Sequence, residues 1–314
     1  VNKSKNIQQT TLASKVSCSG IGLHSGSQVN LTIYPASANT GIVFRRTDVA
    51  ADMAVVPARY DAVSETRLGT TIRNKHGVTV ATIEHLMAAI WGVGLDNAVV
   101  ELDGPEVPIM DGSSEPFVFM LECAGLKNLA APRMVLRVLK AIEVRDGESV
   151  ARIQPNVEGE EGCTIGIEIQ FNNPVINRQA SHYDFREVTF KQTLSRARTF
   201  GFEHEVAAMR QMGLALGGSL ENAIVVGKEA ILNEDGLRYQ DEFVRHKALD
   251  CLGDLYLAGC HIDARFTFVR PGHAINNKLL RALFADETAY VMAPAGKELE
   301  PALAVAAAAV AAYA

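Results

Sequence analysis

Long apolar runs are nearly absent from this sequence. The one sustained stretch, 302–314, is too short and too alanine-rich to cross a bilayer, so no transmembrane segment is expected. The opening Val1-Asn2-Lys3-Ser4-Lys5 leads into polar residues and lacks the apolar core of a signal peptide. Cysteine is sparse and odd in number. The five, Cys18, Cys123, Cys163, Cys251 and Cys260, form no C-x-x-C pair, which argues against a disulfide frame and against a thiolate metal site. They read as reduced, mostly buried thiols of a cytosolic protein. Excess positive charge is missing too: the net charge is -6, which argues against nucleic-acid binding while leaving room for a local basic pocket.

What is present describes a globular protein. Hydrophobic residues make up 48% and charged residues 21%, and 314 residues is long for one compact core, so two domains are expected. In the first half, alternating runs at 29–34 and 41–45, broken by glycines, predict strands. Thr82 suits the N-cap of a helix over 83–91 that stops at Gly92 and Gly94, and a second helix is expected over 114–123. The Gly20-Ile21-Gly22-Leu23-His24-Ser25-Gly26 stretch is glycine-rich, but no helix pattern follows it. It is read as a turn rather than a phosphate loop, with His24 a turn residue.

Ala130-Ala131-Pro132-Arg133 is the best boundary, dividing the chain into 1–130 and 131–314. Strands are expected again at 135–139, 142–144, 151–155 and 163–171, followed by an irregular polar segment over 172–190. Helices are expected at 203–212, 219–226, 245–257 and 273–284, with a strand at 262–269. The halves echo one another: strands, a helix with His near its start, a glycine stop, a strand and a second helix.

The helix expected at 245–257 organises the rest. At about 100° per residue, His246, Asp250 and Asp254 share one narrow arc with Lys247 beside it, while Leu249, Leu252, Leu255 and Tyr256 fill the opposite side. Alone, such spacing is more often a solvated pair than a metal site. Were the two halves to face each other, however, His85 would meet His246 and Asp250. Two imidazoles and one carboxylate with an open fourth position fit a catalytic zinc. The same set serves the facial triad of non-haem iron oxygenases, and a metal-free binding protein is the third reading.

Glu84 stands next to His85, either as a general base for water or as a first-turn acid favoured by the helix dipole. His273 follows Pro271-Gly272 at a helix start; paired with Asp254 it would stay protonated and stabilise an oxyanion or protonate a leaving nitrogen. Lys247 is either a second cation of the site or a solvated lysine. Ser195-Arg196-Ala197-Arg198-Thr199-Phe200-Gly201-Phe202 suits a site wall, with Thr199 donating and Phe200 and Phe202 lining an apolar channel, or an amphipathic edge strand.

Five stretches together resemble the bacterial UDP-3-O-acyl-N-acetylglucosamine deacetylases. They are Ala81-Thr82-Ile83-Glu84-His85-Leu86, Pro108-Ile109-Met110-Asp111-Gly112-Ser113, 195–202, 242–254 and Gly272-His273-Ala274-Ile275-Asn276-Asn277-Lys278-Leu279-Leu280, in order within 7–291. The resemblance implies a zinc amidase of the Gram-negative cytoplasm, acting at the committed step of lipid A synthesis, with ferrous iron possible in the cell. It implies zinc on His85, His246 and Asp250, Glu84 as base, and His273 oriented by Asp254 as acid. Thr199 and Lys247 would assist at the oxyanion or substrate, and Phe200, Phe202 and Leu68 would lie near the acyl chain.

The implied fold is α+β: two similar two-layer α/β sandwich domains face each other, each with an inserted element, the second near 172–190, and the active site lies in the cleft between them. The implied partner is the small-molecule substrate UDP-3-O-acyl-N-acetylglucosamine, bound by a monomer. Pro271 and the Leu68-Gly69 pair depart from the family pattern and bear on chain-length preference. The alanine-rich tail, 301–314, resembles C-terminal degradation signals read by proteases.

Overall fold

Strict alternation builds the first sheet. In Gln28–Pro35, Val29, Leu31 and Ile33 point into the core while Gln28 and Asn30 face water. The computed structural model describes residues 7–296. The alanine-rich tail, and with it the expected degradation signal, lies outside the described residues. Five strands form this sheet in the order Val16–Ile21, Gln28–Pro35, Ala98–Leu102, Ile42–Arg46 and Val55–Pro57. Its helices are α1 (Glu84–Val93) and α2 (Glu115–Ala124), which pack on each other, α2 also touching Val16–Ile21. Helix α1 ends on Gly94, whose φ of 75° is the left-handed conformation that closes a helix.

A seven-stranded mixed sheet forms the second layer system. Its central strand, His261–Val269, runs parallel to Met134–Val138 and to Cys163–Gln170 and antiparallel to Ser149–Gln154. Two short helices precede its main cover, α3 (Phe190–Thr193) and α4 (Glu203–Gln211). Helix α5 (Glu242–Leu255) packs on Cys163–Gln170, and α6 (His273–Ala285) packs on Ile142–Asp146 and on α5. Among the described residues the chain is thus a mixed α/β protein of six α-helices and five sheets, in keeping with the α+β class.

Several local expectations change. The 172–190 segment is not irregular: Arg178–Asp184 pairs antiparallel with Cys163–Gln170 at the edge of the large sheet. Its polar sequence hides a strand because Tyr183 alone in it is buried. The stretch 219–226 is a turn leading into Ile224–Val226, closed by the Asn222 side chain accepting from Ser219 N–H. That strand runs parallel to Phe200–Phe202, and α4 between them buries no residue. Residues 130–132 lie within a strand, Leu126–Pro132, that pairs with Gln8–Leu12. Thr82 does not cap α1; its φ is 56° and its hydroxyl donates to Glu106 Oε1 at 2.9 Å.

The closest meeting of the helices is between α1 and α5. A Cβ built on Gly253 would lie 2.1 Å from the carbonyl oxygen of Glu84, so nothing larger than glycine fits at this crossing. At the far end of α1, Trp91 stands edge-on to Phe185 at 5.0 Å and to Phe190 at 6.1 Å and tilts over His261. Gly253→Ala is therefore expected to destabilise the fold by about 1–3 kcal/mol through overpacking. A lower urea midpoint at unchanged slope checks this.

Candidate active site

Three helices converge on one cavity. Helix α5 carries His246, Asp250 and Asp254 one turn apart, α1 contributes Glu84 and His85 from its first turn, and α6 opens with His273. All six side chains are buried. The cavity holds about 300 Å³ and is lined by all of these but Asp254, which stands behind His273, and by Leu23, Leu68, Thr199, Phe200 and Lys247. A larger one of about 860 Å³ lies beside Trp91 and Arg133. Among the described residues, the only His, Cys, Asp and Glu side chains at metal-ligand spacing are His85, His246 and Asp250, in the smaller cavity.

Their donor atoms lie within 4.8 Å of one another. His246 Nδ1 faces the Ala197 carbonyl at 3.1 Å. A carbonyl only accepts, so Nδ1 carries the proton and the Nε2 lone pair points at Asp250 Oδ1, 3.3 Å away. Burial lowers the pKa of His246. Burial and the neighbouring His246 push His85 down to about 3, so this ring is neutral as well. His85 Nε2 lies 3.6 Å from the same oxygen. Asp250 Oδ1 and His85 Nδ1 are buried without a hydrogen-bond partner. Burial opposes the charge of Asp250, but the cations around it, Lys247 and His273, outweigh it and hold the carboxyl well below its ordinary range. The Nε2 lone pair of His246 and the unpartnered Asp250 oxygen repel when held this close in a buried site, and a cation between them removes the repulsion. These residues fit a metal ion.

Beside this set stands a second group. The Asp254 carboxylate accepts from His273 Nδ1 at 2.8 Å, Asn276 Nδ2 at 2.9 Å and Thr70 Oγ1 at 2.5 Å. Burial works to discharge His273, but Asp254 and Glu84 outweigh it and raise its pKa to about 9. His273 Nε2 lies 3.8 Å from Glu84 Oε1. Burial is the main cause that raises Glu84 to about 7, with Asp250 and Asp254 adding to it against the pull of His273. Its other oxygen accepts from the Thr70 N–H at 2.9 Å. A carboxylate poised near neutrality beside a protonated imidazole is a base and an acid in one cavity.

The match to known proteins decides the lineage. Residues 9–285 match the family model for LpxC, UDP-3-O-acyl N-acetylglycosamine deacetylase. The chain belongs to this family. Relatives named UDP-3-O-acyl-N-acetylglucosamine deacetylase include one from Shewanella sp. (strain W3-18-1), 47% identical over 94% of this chain and 95% of its own length. Those of Shewanella frigidimarina and Shewanella oneidensis are each 46% identical over the same shares.

In this family member the wall 195–202 is anchored by Ser195, Ala197 and Arg198, which are buried, while Arg196 is exposed. Arg198 Nε donates to Glu242 Oε1 at 2.9 Å, with Glu242 wholly buried at the start of α5, and Thr199 N–H donates to Gly112 O at 2.8 Å. Thr199 and Phe200 thereby reach the cavity, whereas Phe202 packs on Phe171 at 5.6 Å and is not among the lining residues. Lys247 Nζ pairs with Asp250 Oδ2 at 2.9 Å and sits 5.5 Å from the Phe200 ring centre. Leu68, half-exposed at the mouth, has a φ of 61°.

Sequence reasoning gave no role to Thr70, Asn276, Glu106 or Leu23, because no periodicity marks where their side chains go. The Gly20–Gly26 loop is not idle: the backbone N–H groups of His24 and Ser25 donate to the Glu106 carboxylate at 2.9 and 2.8 Å. His24 is more than a turn residue, since Nδ1 accepts from Ala215 N–H at 3.3 Å and Nε2 donates to Leu68 O at 3.2 Å. Arg198→Ala, which strands the Glu242 charge, should cost about 3–5 kcal/mol, measured by denaturant unfolding.

Proposed function

We propose that this chain hydrolyses the N-acetyl group of UDP-3-O-acyl-N-acetylglucosamine, yielding UDP-3-O-acyl-glucosamine and acetate, the committed step of lipid A synthesis. The observation that carries this reading is the ligand-spaced His85, His246 and Asp250 with Glu84 and His273 in the same cavity, in a chain of the deacetylase family. An oxygenase built on the same ligand set has no need of a base and a protonated imidazole side by side. A metal-free binding protein would leave the crowded acceptors unrelieved.

His85, His246 and Asp250 hold the ion in this reading, with zinc the preferred one and ferrous iron the alternative in the cell. Zinc there supplies Lewis acidity that lowers the pKa of water toward neutrality and polarises the amide carbonyl. Glu84 takes a proton from the attacking water as its oxygen bonds to the acetyl carbon. Thr199, Lys247 and the His273 imidazolium donate to the oxygen on which negative charge develops. As the C–N bond breaks, His273 Nε2 delivers its proton to the glucosamine nitrogen, and acetate leaves. Asp254, 2.8 Å from His273 Nδ1, keeps that imidazole charged and aimed.

Leu68 and Phe200 line the mouth on the acyl side, and Phe202 braces Phe171 behind them. On the same reading the chain divides near residue 130 into two similar sandwich units, with the site in the cleft between them. The enzyme works as a monomer in the cytoplasm. Among the described residues no helix is long and apolar enough to cross a membrane.

Glu84→Gln should retain stoichiometric metal while turnover falls by about 10²–10⁴, the usual scale for a general acid–base group. Acetate release together with metal analysis checks it, and an active Glu84→Gln enzyme sinks that role. Chelation should abolish acetate release and zinc repletion restore it. Turnover that persists after the metal is stripped would sink the metalloamidase reading.

A further inference from the structure

Asp254 and Glu84 come from different helices, yet one loop residue touches both. Thr70 donates its N–H to Glu84 Oε2 at 2.9 Å and its hydroxyl to Asp254 Oδ1 at 2.5 Å, a bond spanning 184 positions of sequence. Its own carbonyl accepts from Ile83 N–H at 3.3 Å, so its backbone is tied to the start of α1. It is 2% exposed, and its β-branched side chain has few rotamers to choose from. With the backbone fixed on α1, the hydroxyl is aimed at α5.

We propose that Thr70 is a positioning residue that locks the base and the acid of the site into one geometry. The inference rests on the deacetylase reading. Asp254 Oδ2 is occupied by His273 and Asn276, and Thr70 is what holds Oδ1. Without the hydroxyl, a buried carboxylate oxygen loses its donor, and the carboxylate is free to turn away from the plane of the His273 ring. The Thr70 N–H survives most substitutions, so the two bonds can be tested separately. Second-sphere partners of this kind typically change activity by about 10–100-fold when removed.

The test compares Thr70→Val, which keeps the shape and loses the hydroxyl, with Thr70→Ser, which keeps the hydroxyl. Thr70→Val should bind wild-type levels of zinc and show KM within about twofold, with kcat lower by about 10–100-fold. Thr70→Ser should stay within about threefold of wild type. A Thr70→Val kcat within that same margin, or a Thr70→Ser enzyme as slow as Thr70→Val, overturns the proposal. Should Thr70→Val not fold, Thr70→Cys replaces it, the thiol being a weak donor, and must fall below Thr70→Ser.

A second readout does not depend on turnover. The low-field proton NMR signal of the His273 Nδ1–H held by Asp254 should persist in Thr70→Ser and shift or vanish in Thr70→Val. An unmoved signal overturns the proposal even if the wild-type protein releases no acetate, an outcome that would by itself sink only the deacetylase reading.

Discussion

Everything at the site depends on two helix backbones touching. Gly253 on α5 lies against the carbonyl of Glu84, where a single added carbon would sit 2.1 Å from that oxygen. Because Gly253 lies three residues beyond Asp250 and seven beyond His246, it belongs to the face that carries them. Where that face meets the first turn of α1, His85 arrives 3.6 Å from Asp250 and Glu84 arrives 3.8 Å from His273. Side chains of ordinary length would otherwise have to reach across a normal helix separation of about 8–10 Å. The geometry is set by an absence of atoms.

Charge is distributed around that contact in an ordered way. On one side, two imidazoles crowd a carboxylate oxygen that has no hydrogen-bond partner. On the other, the Asp254 carboxylate is saturated with donors from Thr70, His273 and Asn276. Buried carboxylates thus occur in two states of satisfaction a turn apart on one helix. The unsatisfied one suits a cation and the satisfied one suits an orienting group. Lys247 bridges these needs by neutralising the outer oxygen of Asp250 while leaving its inner oxygen open.

The helix that carries His246, Asp250 and Asp254 was legible because its signal is periodic, whereas the helix expected at 219–226 is a turn and a strand. His246, Asp250 and Asp254 recur every four residues, and leucines mark the opposite face, so helix and arc could be read together. His85 was harder, since its place at the site depends on which half faces which, and only the echo between halves and the family motifs hinted at it. Thr70 left no trace, because a threonine in a loop looks the same whether its hydroxyl meets water or a carboxylate 184 positions away. The strand Arg178–Asp184 was hidden for a related reason: an edge strand with one buried residue has no apolar alternation to display. Thr82 misled in the opposite direction, its capping chemistry being spent on Glu106.

Trp91 is the only tryptophan in the chain, and it stands on α1 with its indole packed on Phe185, Phe190 and His261, all from beyond residue 130. An indole packed against three rings changes its emission when those rings withdraw. The protein therefore carries a native optical gauge of whether α1 stays docked on the second half. Undocking of the helix that bears Glu84 and His85 would be visible as a spectral shift, without a dye or an engineered label.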